Sequence, residues 1–256
     1  MLRSRIIPVL LIHNEGLVKT VCFENAKYVG DPLNAVKIFN EKEVDELVVL
    51  DIDASVKGSS PNFKMIANLA SECRMPLCYG GGVTSVSDAI KIISLGAEKV
   101  AISSAAIEHP EIVSQISSAV GVQSVVVVLD VKKVGLFGKY EVFTHNGKRR
   151  TKKHPVDLAV MFEELGAGEL VINSIDHDGK MNGYDLKLME SIRENTTIPL
   201  TALGGAGSYD DVKSLIDDFS IIGAAAGSMF VFKGKYRAVL INYPKQDEKN
   251  RILNIG

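Results

Sequence analysis

"RIIPVLLIHNEG" (residues 5–16) and "SVVVVLDVKK" (residues 124–133) decide the fold of this chain. Each is a run of apolar, mostly branched residues that empties into polar ones, the pattern of a strand buried on both faces. Laid together, "IIPVLLI" matches "VVVVLDV", and Leu11 falls opposite Asp130, 119 positions further on. The likeness continues downstream. "VLDIDAS" (49–55) resembles "INSIDHDG" (172–179), "YGGGVTSVSDA" (79–89) resembles "LGGAGSYDDV" (203–212), and "KVAISSAAI" (99–107) resembles "IIGAAAGSMF" (221–230). The glycine runs begin 204 − 80 = 124 positions apart, close to half of the 256 residues. A repeat of that period divides the chain into halves of about 1–122 and 123–256.

Apolar runs predict strands at 5–11, 46–52, 76–79, 98–103, 124–130, 169–173, 199–203 and 220–225. Between them, helical periodicity predicts helices over 31–44, 61–73, 85–96, 109–120 and 155–166, several of them closed by glycine. Eight strand–helix units in this length predict one α/β domain spanning 1–256, a (β/α)8 TIM barrel. A doubly wound open sheet is the alternative, but no G-x-G-x-x-G fingerprint follows the first strand, and no cofactor is expected.

Composition narrows the function. The chain is 46% hydrophobic and 23% charged with a net charge of −2, which excludes the electrostatic footprint of a nucleic-acid or anionic-membrane binder. No apolar run reaches the ~20 residues of a membrane span. The apolar start lacks a small-residue cleavage site and reads as a first strand, so a cytoplasmic protein is expected. Cys22, Cys73 and Cys78 are odd in number and lack metal-binding rhythm, as in a reduced protein.

Barrel active sites lie at the C-terminal ends of the strands. The candidates there are Leu11, Asp51, Asp53, Gly80, Gly81, Gly82, Ser103, Ser104, Asp130, Asp176, Asp178, Gly204, Gly205 and, after strand eight, Gly227 and Ser228. Both glycine clusters follow a strand and precede a helix, where free N–H groups and the helix N-terminus favour an oxyanion. Two such cradles suit a phosphorylated small molecule with a phosphate at each end; the bland reading is that tight turns require glycine. Asp130 reads as a general acid or base lifted by partial burial, or as a loop cap. Asp51, Asp176 and Asp178 read as ligand contacts or loop braces. No histidine falls at metal spacing, so no metal site is expected. His177, between two aspartates, is the histidine expected nearest the site. At the opposite end, Arg5, Glu46, Lys99 and Glu169 fall at or just before the starts of strands one, two, four and six. Turned inward, they make a ring of two cations and two anions that closes the lower mouth, as a plug or as a gate.

At this point the chain resembles the cyclase (HisF) subunit of imidazole glycerol phosphate synthase over nearly its whole length. The matching stretches include "RII", "GLVKTVCFEN", "DELVVLDIDAS", "YGGGV", "VVVVLDVKK", "FTHNGK", "ELGAGELVINSIDHDG", "GGAGS" and "AAAGSMFVF". The resemblance implies a two-fold repeated barrel that binds a bis-phosphorylated ribosyl substrate. It implies a HisH-type glutaminase docked on the lower face, whose ammonia climbs the barrel axis through a gate matching Arg5, Glu46, Lys99 and Glu169. Lys19 matches a catalytic lysine of the first loop, and Gly179 lies in the matched stretch after strand six. Of two catalytic aspartates, Asp130 matches the second and Leu11 replaces the first. Ser103, Ser104, Asn173 and Leu203 also depart from the family pattern. The segment "FVFKGKYRAVLINYP" (230–244) resembles a divergent subgroup that accompanies a glutaminase and a separate sugar amidotransferase in acetamidino-sugar synthesis. The expectation is therefore a retained ammonia conduit with altered chemistry at the top. The alternatives are a genuine cyclase and a glutaminase-activating scaffold.

Overall fold

The computed structural model describes residues 3–254. Eight parallel strands close on themselves: β1 (Arg5–His13), β2 (Leu47–Asp51), β3 (Leu77–Gly80), β4 (Lys99–Ile102), β5 (Val125–Val134), β6 (Glu169–Ser174), β7 (Leu200–Leu203) and β8 (Gly223–Ala226). The last stave returns to the first, with Arg5 beside Gly223 and Ile7 beside Ala225. This is the (β/α)8 barrel that the repeat predicts, and the open-sheet alternative falls with the β8–β1 pairing. No helix among the described residues is long and apolar enough to cross a membrane.

Alternation along each strand separates two apolar layers. Ile6, Leu10, Val49, Val127 and Ile172 face outward and pack under the helices. Ile7, Val9, Val48, Cys78, Ala101, Val126, Val128, Val171, Leu203 and Ala225 fill the barrel interior, with Leu11 and Leu50 resting on them from above. The barrel is therefore lined by hydrocarbon between a charged floor and a polar mouth. Gly223 shows how tightly it closes: a Cβ there would lie 1.9 Å from Thr201 Oγ1.

The predicted helices form at Pro32–Glu41, Phe63–Glu72, Val86–Ser94, Glu111–Val120 and Pro155–Glu164. Ser85 and Ser208, 123 positions apart, each cap a helix, accepting from Asp88 N–H and Asp211 N–H. Each of these aspartates accepts in turn from the loop before it, Asp88 from Thr84 N–H and Asp211 from Gly207 N–H. Helices over Leu186–Arg193 and Gln246–Ile252 complete the outer ring beside Tyr209–Phe219.

Two strands run past their predicted ends. β1 continues to His13 and pairs antiparallel with Gly16–Val21, which pairs in turn with Glu24–Gly30. β5 continues to Val134 and pairs antiparallel with Lys139–Thr144. These hairpin arms rise above the barrel and are largely exposed at their outer edges, so they lack the apolar alternation that flags a strand. A third, short hairpin follows β8, with Phe232–Lys233 against Ala238–Val239. The chain then descends to the lower side, where Tyr243 Oη donates to Ile6 O at 2.9 Å and Lys249 Nζ meets Asp45 at 3.0 Å.

Candidate functional site

A cavity of about 690 Å³ opens at the C-terminal ends of the strands. Leu11, Lys19, Asp51, Gly80, Gly81, Gly82, Ser103, Ser104, Asp130, Asn173, Leu203 and Gly227 all reach its wall. The register sets its chemistry. On β5 and β6, Asp130 lies beside Asn173, and Asn173 Nδ2 donates to Asp130 Oδ1 at 2.9 Å. On β1 and β2, the same level holds Leu11 beside Leu50. One side of the mouth is a carboxyl–amide pair; the other is a leucine pair.

Burial dominates the state of Asp130 and pushes its carboxyl up to about 7; the Asn173 hydrogen bond opposes the shift and the Asp178 charge adds to it. A carboxyl there exchanges a proton near neutral pH and can act as acid or base on a bound ligand. Asn173 Oδ1 and Ser103 Oγ are buried without a protein partner. Buried polar atoms of this kind are normally satisfied, so both are available to a ligand. Ser104 Oγ, by contrast, is engaged by His145 N–H at 3.0 Å.

The first glycine cluster, Gly81 and Gly82, forms part of the cavity wall, and both residues have positive φ. A Cβ on Gly81 would lie 2.4 Å from Asp51 O, so close packing of adjacent loops already requires glycine there. Asp51 itself braces that loop, its Oδ1 accepting from Asp53 N–H at 2.9 Å and Ala54 N–H at 3.2 Å, while burial raises its pKa.

The second set is arranged differently. Asp176, Asp178, Gly179, Gly204, Gly205 and Ser228 lie outside the cavity lining. The hairpin after β1 is docked over Asp176, Asp178 and Gly179. Thr20 Oγ1 donates to Asp178 Oδ2 at 2.7 Å, Phe23 N–H donates to the same oxygen at 3.2 Å, and Cys22 N–H donates to Asp178 O at 3.0 Å. Asp176 Oδ2 accepts from Lys133 N–H at 2.7 Å. Gly205 packs so closely on the loop after β6 that a Cβ would lie 2.0 Å from Gly183 O. These aspartates brace loops here, and the open cavity lies on the β2–β5 side.

Lys19 enters the mouth from this hairpin. It is buried, its Nζ donates to Val9 O at 2.5 Å, and it abuts Gly227. Burial lowers its pKa to about 8, against a smaller opposing pull from Asp178. His177 lies outside the cavity and shares a hydrogen bond with Ser174 Oγ at 2.8 Å; His109 and His145 line it instead. The hairpin that carries His145 to the rim was not legible as a strand, and no local signal flagged it.

The floor is a closed ring. Arg5 pairs with Glu46 and, at 2.8 Å, with Glu169. Lys99 Nζ lies 2.9 Å from Glu46 and 2.8 Å from Glu169. Thr201 Oγ1 donates to Glu169 Oε1 at 2.5 Å, a fifth member that the charge pattern does not reveal. Burial favours the neutral form of Glu169, but Arg5 and Lys99 outweigh it and hold the carboxyl below its ordinary range. The same carboxylates raise Arg5 and Lys99 against their own burial. Every charge of the ring is paired, which burial demands.

This barrel, with an acid–amide pair at one end and a paired charged ring at the other, falls in a defined class. Residues 5–237 match the family described as "Histidine biosynthesis protein", and the chain belongs to that family, in its HisF-type branch. It is 56% identical to a provisionally named imidazole glycerol phosphate synthase subunit HisF of Leptospira borgpetersenii, over 98% of this chain and 99% of the relative. A provisionally named subunit of Vibrio vulnificus is 55% identical over 100% of this chain and 98% of the relative. The imidazole glycerol phosphate synthase subunit HisF of Lactococcus lactis subsp. cremoris is 38% identical over 98% of this chain and 96% of the relative.

Proposed function

We propose that this chain is the cytoplasmic ammonia-conducting subunit of a glutamine amidotransferase complex. A HisH-type glutaminase docks at its N-terminal face, ammonia passes the Arg5–Glu46–Lys99–Glu169 gate, and a separate amidotransferase uses it to form an acetamidino group on a surface-polysaccharide sugar. The observation that carries this reading is the contrast along one molecule. The floor ring and the apolar interior are complete, whereas the acid/base pair is half replaced by Leu11 beside Leu50. Neutral ammonia crosses a hydrocarbon-lined interior without the desolvation cost an ammonium ion meets. A leucine neither accepts nor donates a proton, and loss of one general acid or base forfeits ~10²–10⁴ in rate.

The second reading is a working cyclase of histidine biosynthesis, converting the bis-phosphorylated ribosyl intermediate with ammonia. Asp130 near neutrality and a roomy cavity favour it, with Asp51 as the substitute carboxylate. The purified chain supplied with ammonium salt and that intermediate separates the two. The first reading expects turnover at least ~10²-fold below that of an ordinary cyclase; turnover at the ordinary rate refutes it. A third role, a scaffold that only activates the glutaminase, predicts that Lys99→Ala leaves glutamine hydrolysis coupled to amidation.

A further inference from the structure

Three hairpins rise from the upper face, and two end in bulky apolar tips that nothing in the fold covers. Leu136 and Phe137 stand at the turn after β5, 97% and 88% exposed, and Tyr236 stands at the turn after β8, 91% exposed. A single exposed apolar residue needs no explanation, but tips on two hairpins that follow strands three staves apart around one mouth form a concentration. Both turns are well defined. Gly138 N–H donates to Gly135 O at 3.2 Å and Arg237 N–H to Gly234 O at 3.0 Å, with Gly135, Gly138 and Gly234 all at positive φ. Anchors held in closed turns lose less freedom when a partner seats on them.

The charge around the tips is one-sided. Residues 132–140 carry Lys132, Lys133 and Lys139 and no acid, and the hairpin at 232–239 carries Lys233, Lys235 and Arg237 and no acid, in a chain of net charge −2. Lys133 is engaged by Asp185. Lys132, Lys139, Lys233 and Lys235 are exposed and form no ion pair among the described residues. A surface complementary to this one offers apolar sockets rimmed with carboxylates. A second copy of this chain seated tip to tip would bring the same cations face to face, which costs affinity rather than adding it.

We propose that this upper face, anchored by Leu136, Phe137 and Tyr236 and ringed by free lysines, is the docking surface for the ammonia-consuming enzyme. The inference rests on the conduction reading above, in which ammonia emerges at this mouth. A partner seated on both tips closes the mouth, so that ammonia passes on without entering solvent.

The test mixes the purified full-length chain, its glutaminase and the sugar amidotransferase from the same organism. Amidation is driven by glutamine or, separately, by ammonium salt. The variants are Leu136→Asp with Phe137→Asp, and Tyr236→Asp alone. Expected is a tenfold or greater loss of glutamine-driven amidation, with ammonium-driven amidation and stimulation of glutamine hydrolysis unchanged. Lys132→Glu with Lys139→Glu gives a smaller loss that shrinks at high salt. Wild-type glutamine-driven amidation in the variants overturns the docking surface and leaves conduction standing. A wild-type mixture that amidates only with ammonium salt overturns conduction, and the docking proposal with it. Tip-dependent dimerisation in sedimentation, or tip-dependent binding to phosphatidylglycerol vesicles, overturns the assigned occupant.

Discussion

Replacing Lys99 by methionine removes one cation from the floor ring while keeping a stem of similar length. Lys99 Nζ serves both Glu46 and Glu169, and both carboxylates are buried, so the variant leaves two buried anions to share Arg5. Breaking a buried pair costs ~3–5 kcal/mol, and the retained Arg5 contacts place this case near the lower end, about 3 kcal/mol. In a domain of this size that lowers Tm by about 6–12 °C. The pH dependence identifies the cause. In the wild type, Glu169 is held below its ordinary value of 4.5. Its stabilisation is therefore fully present above 4.5 and is lost as pH falls through the lower folded value. Without Lys99, the folded pKa of Glu169 rises, and the penalty persists wherever that carboxyl is still charged. The gap in Tm between wild type and Lys99→Met is thus widest near pH 7 and narrows towards pH 4, where protonation removes the unpaired charge. Thermal unfolding of both proteins at the two pH values measures it. A gap below about 1 kcal/mol at pH 7 would place the ring with exposed ion pairs. An equal gap at both pH values would assign the loss to packing instead of charge.

Asp130→Asn changes the pH profile in the opposite sense. The folded pKa of Asp130 is raised to about 7, so the wild type loses stability as pH climbs from ~4 through 7 while the variant does not; parallel urea-denaturation profiles at pH 4.5 and 7.5 would refute the burial argument. Lys19→Met removes a buried ammonium whose pKa is lowered to about 8. The variant gains stability at pH 7.5, and the gain shrinks as pH rises through 8 and vanishes only above 10.5, where the wild-type amine becomes neutral in the unfolded chain as well; a gain independent of pH would contradict this. Gly205→Ala puts a Cβ against Gly183 O at a φ of +111°, and a loss of at least ~3 kcal/mol in chemical denaturation is expected from strain and clash together.

The comparison with the bare sequence turns on which interactions are local. Strand positions, helix positions and the repeat were legible because burial on both faces makes each stave an unbroken apolar run and burial on one face gives helices a period near four. The floor ring was legible too, since alternation from Ile7 back to Arg5 and from Val171 back to Glu169 fixes the inward face. Leu11 as the counterpart of Asp130 came from the repeat alone. Pairing across strands was not legible. That Leu11 meets Leu50, 39 positions away, and Asp130 meets Asn173, 43 positions away, depends on the register of parallel staves, to which no local pattern is tied.

The same limit explains the hairpins. Their outer edges face solvent, so no apolar alternation marks Glu24–Gly30, and only the folded chain shows the hairpin docked on Asp178 through Thr20 and Phe23. From that docking follow the burial of Lys19 and the engagement of Asp178 and Gly179 on one side of the mouth. The sequence by itself determined the barrel, the charged residues of the floor and Leu11 as the counterpart of Asp130, because each is written in residue type, spacing and repeat along the chain. Tertiary structure alone decided which half of the mouth is open and that Thr201 completes the floor. It also decided that the upper rim ends in bare apolar tips, because those facts arise where distant segments meet or fail to meet.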